Sequence, residues 1–498
     1  MRLFQKIKNW KTVRGWHIWK LKLVDARLYF VSMIVGLLTG LIAVPYHYLL
    51  YYLLHIRSDF FASRPAWYWH IPLFLSFWGI LILVSRMVGR MPLIGGGIPQ
   101  TRGAINGRIT YKHPFIELVS KFTGGILSVS AGLSLGREGP SVQIGSYIGS
   151  LVSRWTHILQ GERKQLRAAG AGAGLAAAFA APLASSLIVI ESIERFDAPK
   201  TAITTLLAGV VAGAIASLVF PVNPYHLIEV SEPVLTFFVQ MKYFLILAVI
   251  ISITGKIYSA LMISFKRVYS TVKSPVYIKM FYLVLVAYII SLMQVNLTGG
   301  GEQFLLEQAQ NGSTEIMWVL AVMLLHFGFS VCSVSSGLPG GSFIPTLVTG
   351  GLLGQLVGLI AVKHGIIEPQ NITYVMLISM SAFLVAIERT PLTAIVLITE
   401  ITGHFEVFYP SVVVGGLTYY FTELLQMKSF NVTLYEDMIN SSDFREEKRY
   451  TLAVEVMTGS YFDGKSVSEL SLPEHCVIIN VHRDGKNLVP AETSLIPG

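Results

Sequence analysis

Arg137 and Glu138 stand side by side in GREGP, residues 136–140, between glycines and inside an apolar stretch. Ionisable groups at membrane depth are costly and are functional candidates by default. Two chemistries fit this pair. Glu138 can join Arg137 in a buried structural salt bridge. Alternatively, standing just before a helix start, it can occupy an anion position while ionised and vacate it when protonated or displaced. Pro140 suits the first turn of a helix, and Gly139 permits close backbone approach. A helix N-terminus offers unsatisfied N–H donors and roughly half a positive charge. GGGIP at 95–99 and PGGSFIP at 339–345 repeat the device. Several such ends converging would hold a dehydrated anion without a buried lysine, and weakly enough to release it.

What must position these ends is a membrane-embedded scaffold. The 498 residues are 53% hydrophobic and only 13% charged, with a mean hydropathy of +0.59, far from a soluble composition. Apolar runs at 28–54, 71–84, 243–263, 281–293, 316–332 and 407–425 reach or approach the roughly 20 residues that cross a bilayer as a helix. Segments 95–105, 136–151, 170–191 and 337–358 are too short or too broken by Gly and Pro. Such breaks are tolerable at membrane depth only where protein buries them or a wet cavity solvates them, so they point to a pathway.

The formal net charge of +9 is concentrated at the start. Residues 1–27 hold Arg2, Lys6, Lys8, Lys11, Arg14, Lys20, Lys22 and Arg27 against Asp25 alone. That pattern predicts a cytoplasmic N-terminal arm lying on anionic lipid, with Trp10, Trp16 and Trp19 at the interface. No base-stacking or groove-reading motif accompanies the charge, which argues against nucleic acid. The following apolar run is too long for a cleaved signal peptide. Cys332 and Cys476 have no metal-ligand spacing, so no metal and no resident cofactor are expected. HExxH, nucleophile-elbow and Cys/His nucleophile patterns are missing, which argues against an enzyme. GAGAG at 170–174 lacks a preceding strand and the P-loop lysine, and reads as small-residue helix packing.

The two halves also resemble each other. APLASSLIVIE at 181–191 and TPLTAIVLITE at 390–400 share Pro, Leu and a terminal Glu at the same offsets. Gly136 stands 55 residues before Glu191, and Gly341 stands 59 before Glu400. Related halves with interrupted helices are the pattern of transporters whose site lies between half-helix ends at the midplane.

GREGP at 136–140, GGGIP at 95–99, GGSFIP at 340–345 and the tyrosine of NVTLYEDM at 431–438 together resemble the signature set of the CLC chloride channels and proton-coupled chloride transporters. GAGAGLAAAFAAPLA at 170–184 is also similar to theirs, and the resemblance covers roughly residues 28–440. It implies an all-α polytopic membrane protein of about eighteen tilted and broken helices in two inverted halves. It also implies a homodimer in the cell membrane, with one chloride pathway per subunit and both termini cytoplasmic, hence an even number of crossings. Under it, Glu138 matches the gating glutamate that competes with the anion and carries protons. Phe343 and Ile344 match backbone amide donors, and Tyr435 the tyrosine facing the central anion. Gly96, Gly97 and Ile98 match the first-half anion motif. Gly136, Arg137, Gly139, Pro140, Gly341, Ser342 and Pro345 complete the motifs.

Two departures matter. The first-half motif usually has serine where this chain has Gly96, which opens preference among chloride, nitrate and fluoride. Ser192 falls where proton-coupled members often carry an internal glutamate that relays protons. Glu191 and Glu194 are close by, and i, i+3 spacing on an α-helix would put both on one face. Either, or water, could substitute. Retention of Glu138 favours proton/chloride exchange, while Ser192 leaves room for a passive channel.

After residue 440 the composition changes. Residues 441–452 read as a charged linker, and 476–490 as a β-hairpin turning at Asp484 and Gly485. With GKSVSELSLPEHC before it, 453–498 resembles the small α+β TrkA-C ligand-binding subdomain of potassium-uptake regulators, which implies cytoplasmic regulation and, in some members, cyclic di-AMP binding. The resemblance stops short by one strand at SLIPG, so an incomplete domain is expected.

Overall fold

The computed structural model describes residues 2–88, 95–156, 162–194, 199–220, 225, 228–233, 237–440, 481–483 and 486–488, with the backbone alone for 2–25, 194, 199, 237, 481–483 and 486–488. The chain divides into two compact units, 1–440 and 441–498.

The first half of the larger unit runs α1 (Arg2–Ala62), α2 (Trp67–Val88), α3 (Ile98–Ile105), α4 (Pro114–Ser130), α5 (Glu138–Trp155), α6 (Arg163–Phe179), α7 (Pro182–Ile188), a π-turn (Val189–Glu194) and α8 (Pro199–Val219). The second runs α9 (Phe237–Thr271), α10 (Val276–Gln294), α11 (Glu302–Asn311), α12 (Ile316–Ser335), α13 (Phe343–Lys363), α14 (Ile372–Glu388), α15 (Pro391–Thr402) and α16 (Phe408–Leu424), followed by α17 (Phe430–Asn440). Seventeen α-helices thus stand among the described residues where about eighteen were expected. Nothing between Asp25 and Leu28 breaks a helix, and the basic arm runs straight into the first spanning segment as part of α1. Among the described residues, eight helices are long and apolar enough to cross a membrane. The expected breaks fall at the starts of α3, α5 and α13 and between α6 and α7.

The repeat is visible in the backbone. Ala180 and Arg389 both take left-handed φ, 54° and 60°. Each is followed by a residue of matching backbone angles, φ −123° and ψ 77° at Ala181 and φ −122° and ψ 77° at Thr390, and then by the proline that opens the next helix. The terminal glutamates of the two repeated segments cap each other's helices. Glu400 accepts from the N–H of Leu183 at 3.1 Å and Ala184 at 2.9 Å. Glu191 accepts from the N–H of Leu392 at 3.1 Å and Thr393 at 2.7 Å, and from the Thr393 hydroxyl at 2.6 Å. The shared Pro-Leu and Glu positions are therefore the two ends of one reciprocal contact, each carboxylate meeting the free donors of the partner helix. Glu191→Ala and Glu400→Ala are each expected to destabilise the protein by about 1 kcal/mol, seen as similar falls in Tm in detergent. A large difference between the two falls would contradict the symmetry.

Helix packing within each half is close. A Cβ added to Gly145 would overlap the carbonyl of Gly170, and one added to Gly170 the carbonyl of Gly145. Gly174 lies as tightly on the Ser141 carbonyl, so GAGAG serves the α5–α6 contact. Gly350 and Gly354 hold the same register on α13, where added Cβ atoms would come within 2.7 Å of the side chains of Phe383 and Ser379 on α14.

In the smaller unit, β1 (Val481–Arg483) pairs antiparallel with β2 (Lys486–Leu488), Arg483 opposite Lys486. The rest of the TrkA-C-like segment, and with it any cyclic di-AMP site, lies outside the described residues.

Candidate anion site

Three chain breaks meet inside the larger unit. Gly136 and Gly341 form an isolated antiparallel bridge, the Gly136 N–H donating to the Gly341 carbonyl at 2.8 Å and the Gly341 N–H to the Gly136 carbonyl at 2.6 Å. Two equivalent positions running in opposite directions are what inverted halves require. The third break is tied in by the Gly95 N–H, which donates to the Gly337 carbonyl at 2.8 Å. Gly97 caps α3 with φ 98°, a conformation that favours glycine. A Cβ on Gly139 would overlap the Gly96 carbonyl and touch Gly341 Cα. Gly96, Gly139 and Gly341 thus share one small volume, and a Cβ on Gly96 would stand 3.3 Å from the Gly340 carbonyl oxygen.

Glu138 is fully buried at the start of α5. Its Oε1 accepts from the N–H of Phe343 at 2.7 Å and of Ile344 at 3.4 Å, the first residues of α13. Its Oε2 is buried with no hydrogen-bond partner. One carboxylate oxygen therefore stands where a free anion would be received by a helix N-terminus. Ser342 caps α13, and Pro345 sits in its first turn, as Pro140 does in α5.

The salt-bridge alternative for Glu138 is corrected here. Arg137 pairs with Glu302 at 3.2 Å rather than with its neighbour, because consecutive residues at a helix start point in different directions. A cavity of about 390 Å³ abuts this pair, with His47, Arg57 and Tyr225 among its polar lining. His47 Nε2 and Ser141 Oγ are 3.3 Å apart.

A buried lysine lies next to the first-half loop, bonded to a carbonyl and not to the donors that hold Glu138. Lys121 of α4 is fully buried and donates to the Gly95 carbonyl at 2.6 Å. It steadies the first-half loop from behind. In sequence it is one cation in the mostly apolar FIELVSKFTGG, with no mark of its partner.

Ile98 is buried at the start of α3. Tyr435 is half-buried on α17, with the Arg102 guanidinium over its ring at 4.9 Å, which fastens α17 to α3. Ser192 is buried in the π-turn. That turn corrects the expectation for Glu191 and Glu194, since i, i+3 spacing brings side chains onto one face of an α-helix but not of a π-turn, and residues 189–194 are wound with i→i+5 bonds. The Glu194 side chain lies outside those described. Glu191 already spends both oxygens on the start of α15. Glu191→Gln is therefore expected to leave the ratio of proton to chloride flux unchanged, and a lost ratio in paired flux recordings would restore it as a relay.

Fold and site together define a polytopic membrane protein in which helix N-termini from two inverted halves meet in the interior. Residues 79–423 match the voltage gated chloride channel family. The chain is 31% identical over 402 residues to the H(+)/Cl(-) exchange transporter ClcA of Salmonella paratyphi A, covering 77% of this chain and 83% of that protein. Among solved structures, a slow cyanobacterial Cl-/H+ antiporter aligns with TM-score 0.74 and 26% identity over 84% of this chain and 99% of its own. A CLC-type fluoride/proton antiporter shares the fold, with TM-score 0.67 and 21% identity over 80% and 96%. This chain belongs to the voltage gated chloride channel family, the CLC family.

Proposed function

We propose that this protein exchanges chloride for protons across the cell membrane, with Glu138 as both gate and proton carrier. The observation that carries the reading is the carboxylate of Glu138 seated on the N–H groups of Phe343 and Ile344. A chloride ion needs those same donors, so chloride and the ionised side chain exclude each other. Protonation removes the charge that holds Glu138 there. The names of the ClcA relative and of the cyanobacterial antiporter support the same exchange. Gly97, Ile98 and Tyr435 complete the pathway in this reading, Gly96 leaves its neck without a hydroxyl, and the working unit is a homodimer with cytoplasmic termini.

The test is transport in liposomes. With chloride high inside and no pH gradient, chloride efflux is expected to drive protons inward and acidify the lumen. Chloride that leaves to its equilibrium potential with no proton movement would instead establish the passive channel for which Ser192 leaves room.

A further inference from the structure

Glu388 ends α14 with its side chain buried, 2% exposed, and the exchange cycle written for Glu138 does not use it. The Asn431 amide of α17 donates to its Oε2 at 2.7 Å. Ser342, at the start of α13, is an electrostatic neighbour of the carboxylate, while Oε1 is buried with no hydrogen-bond partner. Ser342 immediately precedes Phe343, whose N–H holds Glu138. The two carboxylates thus reach the start of α13 from different helices, Glu138 from α5 and Glu388 from α14, within electrostatic reach of each other.

Among the described residues no cation pairs with Glu388, and the charge that bears on it is the second carboxylate. The neighbouring Arg389 is directed to α16, where it bonds Thr422, Glu423 and the Tyr419 carbonyl and stacks at 4.1 Å on the Tyr419 ring. An ionised carboxylate buried without a cation costs several kcal/mol, and a proton removes that cost.

The fold has no need of an acid here. Ala180 and Arg389 are equivalent by their left-handed φ and the prolines two residues on, which makes Phe179 the counterpart of Glu388. Phe179 is buried at 4% exposure, so an apolar side chain closes the same corner in the first half. A carboxylate retained where the architecture accepts phenylalanine has another use.

We propose that Glu388 is a second proton-carrying carboxylate, which passes protons between the Glu138 end of the anion junction and the α17 side and so supplies the relay that Ser192 lacks. The step is proton transfer alone: Oε1 gains an O–H bond as the donor, water or protonated Glu138, loses one, and the reverse transfer releases the proton to water on the α17 side. The proposal rests on the exchange reading.

Paired chloride and proton fluxes of the full chain in liposomes test it, comparing wild type, Glu388→Gln and Glu388→Asp. Glutamine keeps the shape and an oxygen to accept from Asn431 but cannot carry a proton. The expected result is a fall of about tenfold or more in the proton-to-chloride ratio for Glu388→Gln, with chloride flux retained and partial coupling in Glu388→Asp. A wild-type ratio preserved in Glu388→Gln overturns this inference and leaves exchange standing. Equal loss of both fluxes in Gln and Asp assigns Glu388 to positioning Ser342 and overturns it as well. A wild type that moves no protons overturns the exchange reading, and this inference with it.

Discussion

Glu138→Gln is expected to abolish proton movement, by roughly a hundredfold or more, and to leave chloride flowing passively to its equilibrium potential. The glutamine oxygen can still accept from Phe343, as Glu138 Oε1 does at 2.7 Å. It carries no charge, however, and so competes weakly with chloride for a helix N-terminus. It also has no proton to deliver. The wild type should show a pH dependence that the variant lacks. As pH falls, a larger fraction of Glu138 is protonated, the carboxylate leaves the α13 donors more often, and chloride turnover rises. In Glu138→Gln chloride turnover should be flat with pH over the same range. Simultaneous chloride-electrode and proton recordings across a pH series decide the matter. Coupled flux that survives in Glu138→Gln, or a pH dependence identical to wild type, would remove Glu138 from the cycle.

How much of this was legible beforehand differs between backbone and side chains. The helix starts at 98, 138 and 343 follow from Gly and Pro placed against apolar runs, because those residues act through local backbone geometry. The repeat was legible in the Pro-Leu and Glu positions of 181–191 and 390–400, though its reason, reciprocal capping between helices two hundred residues apart, was not. A second register was there to find. Gly136, Gly145 and Gly149 recur as Gly341, Gly350 and Gly354 at a constant offset of 205 residues, one bridging the two chain breaks and two packing helices.

Side-chain partnerships were the least legible. Arg137 meets Glu302, Lys121 meets the Gly95 carbonyl and Glu388 meets Asn431, each across a separation that only the packed helices close. Glu388 stands beside Arg389 in the sequence, yet Arg389 serves α16. The π-turn was invisible for a related reason, since VIESIE carries no Gly or Pro and winds differently only in the folded protein.

The other large effect is expected from the α5–α6 contact. Gly145→Val and Gly170→Val place branched side chains where even a Cβ overlaps the opposite carbonyl. Backbone cannot yield as a flexible side-chain end can, so α5 must move away from α6. Overpacking of a tight interior costs about 1–3 kcal/mol or more, and displacement of α5 also moves Glu138, its first residue, off the α13 donors. These variants should show a marked loss of monodisperse protein and of Tm, and the folded remainder should transport poorly. Gly350→Val is expected to behave similarly through Phe383, since the second half uses the same register. Gly79→Ala and Gly416→Ala are the controls: nothing lies within 4 Å of an added Cβ at either position. Both sit inside helices, α2 and α16, where alanine is favoured over glycine by about 1 kcal/mol. Their Tm should hold or rise. If Gly145→Val proved as stable as Gly416→Ala, the close backbone approach that sets Glu138 against α13 would not be what holds the site together.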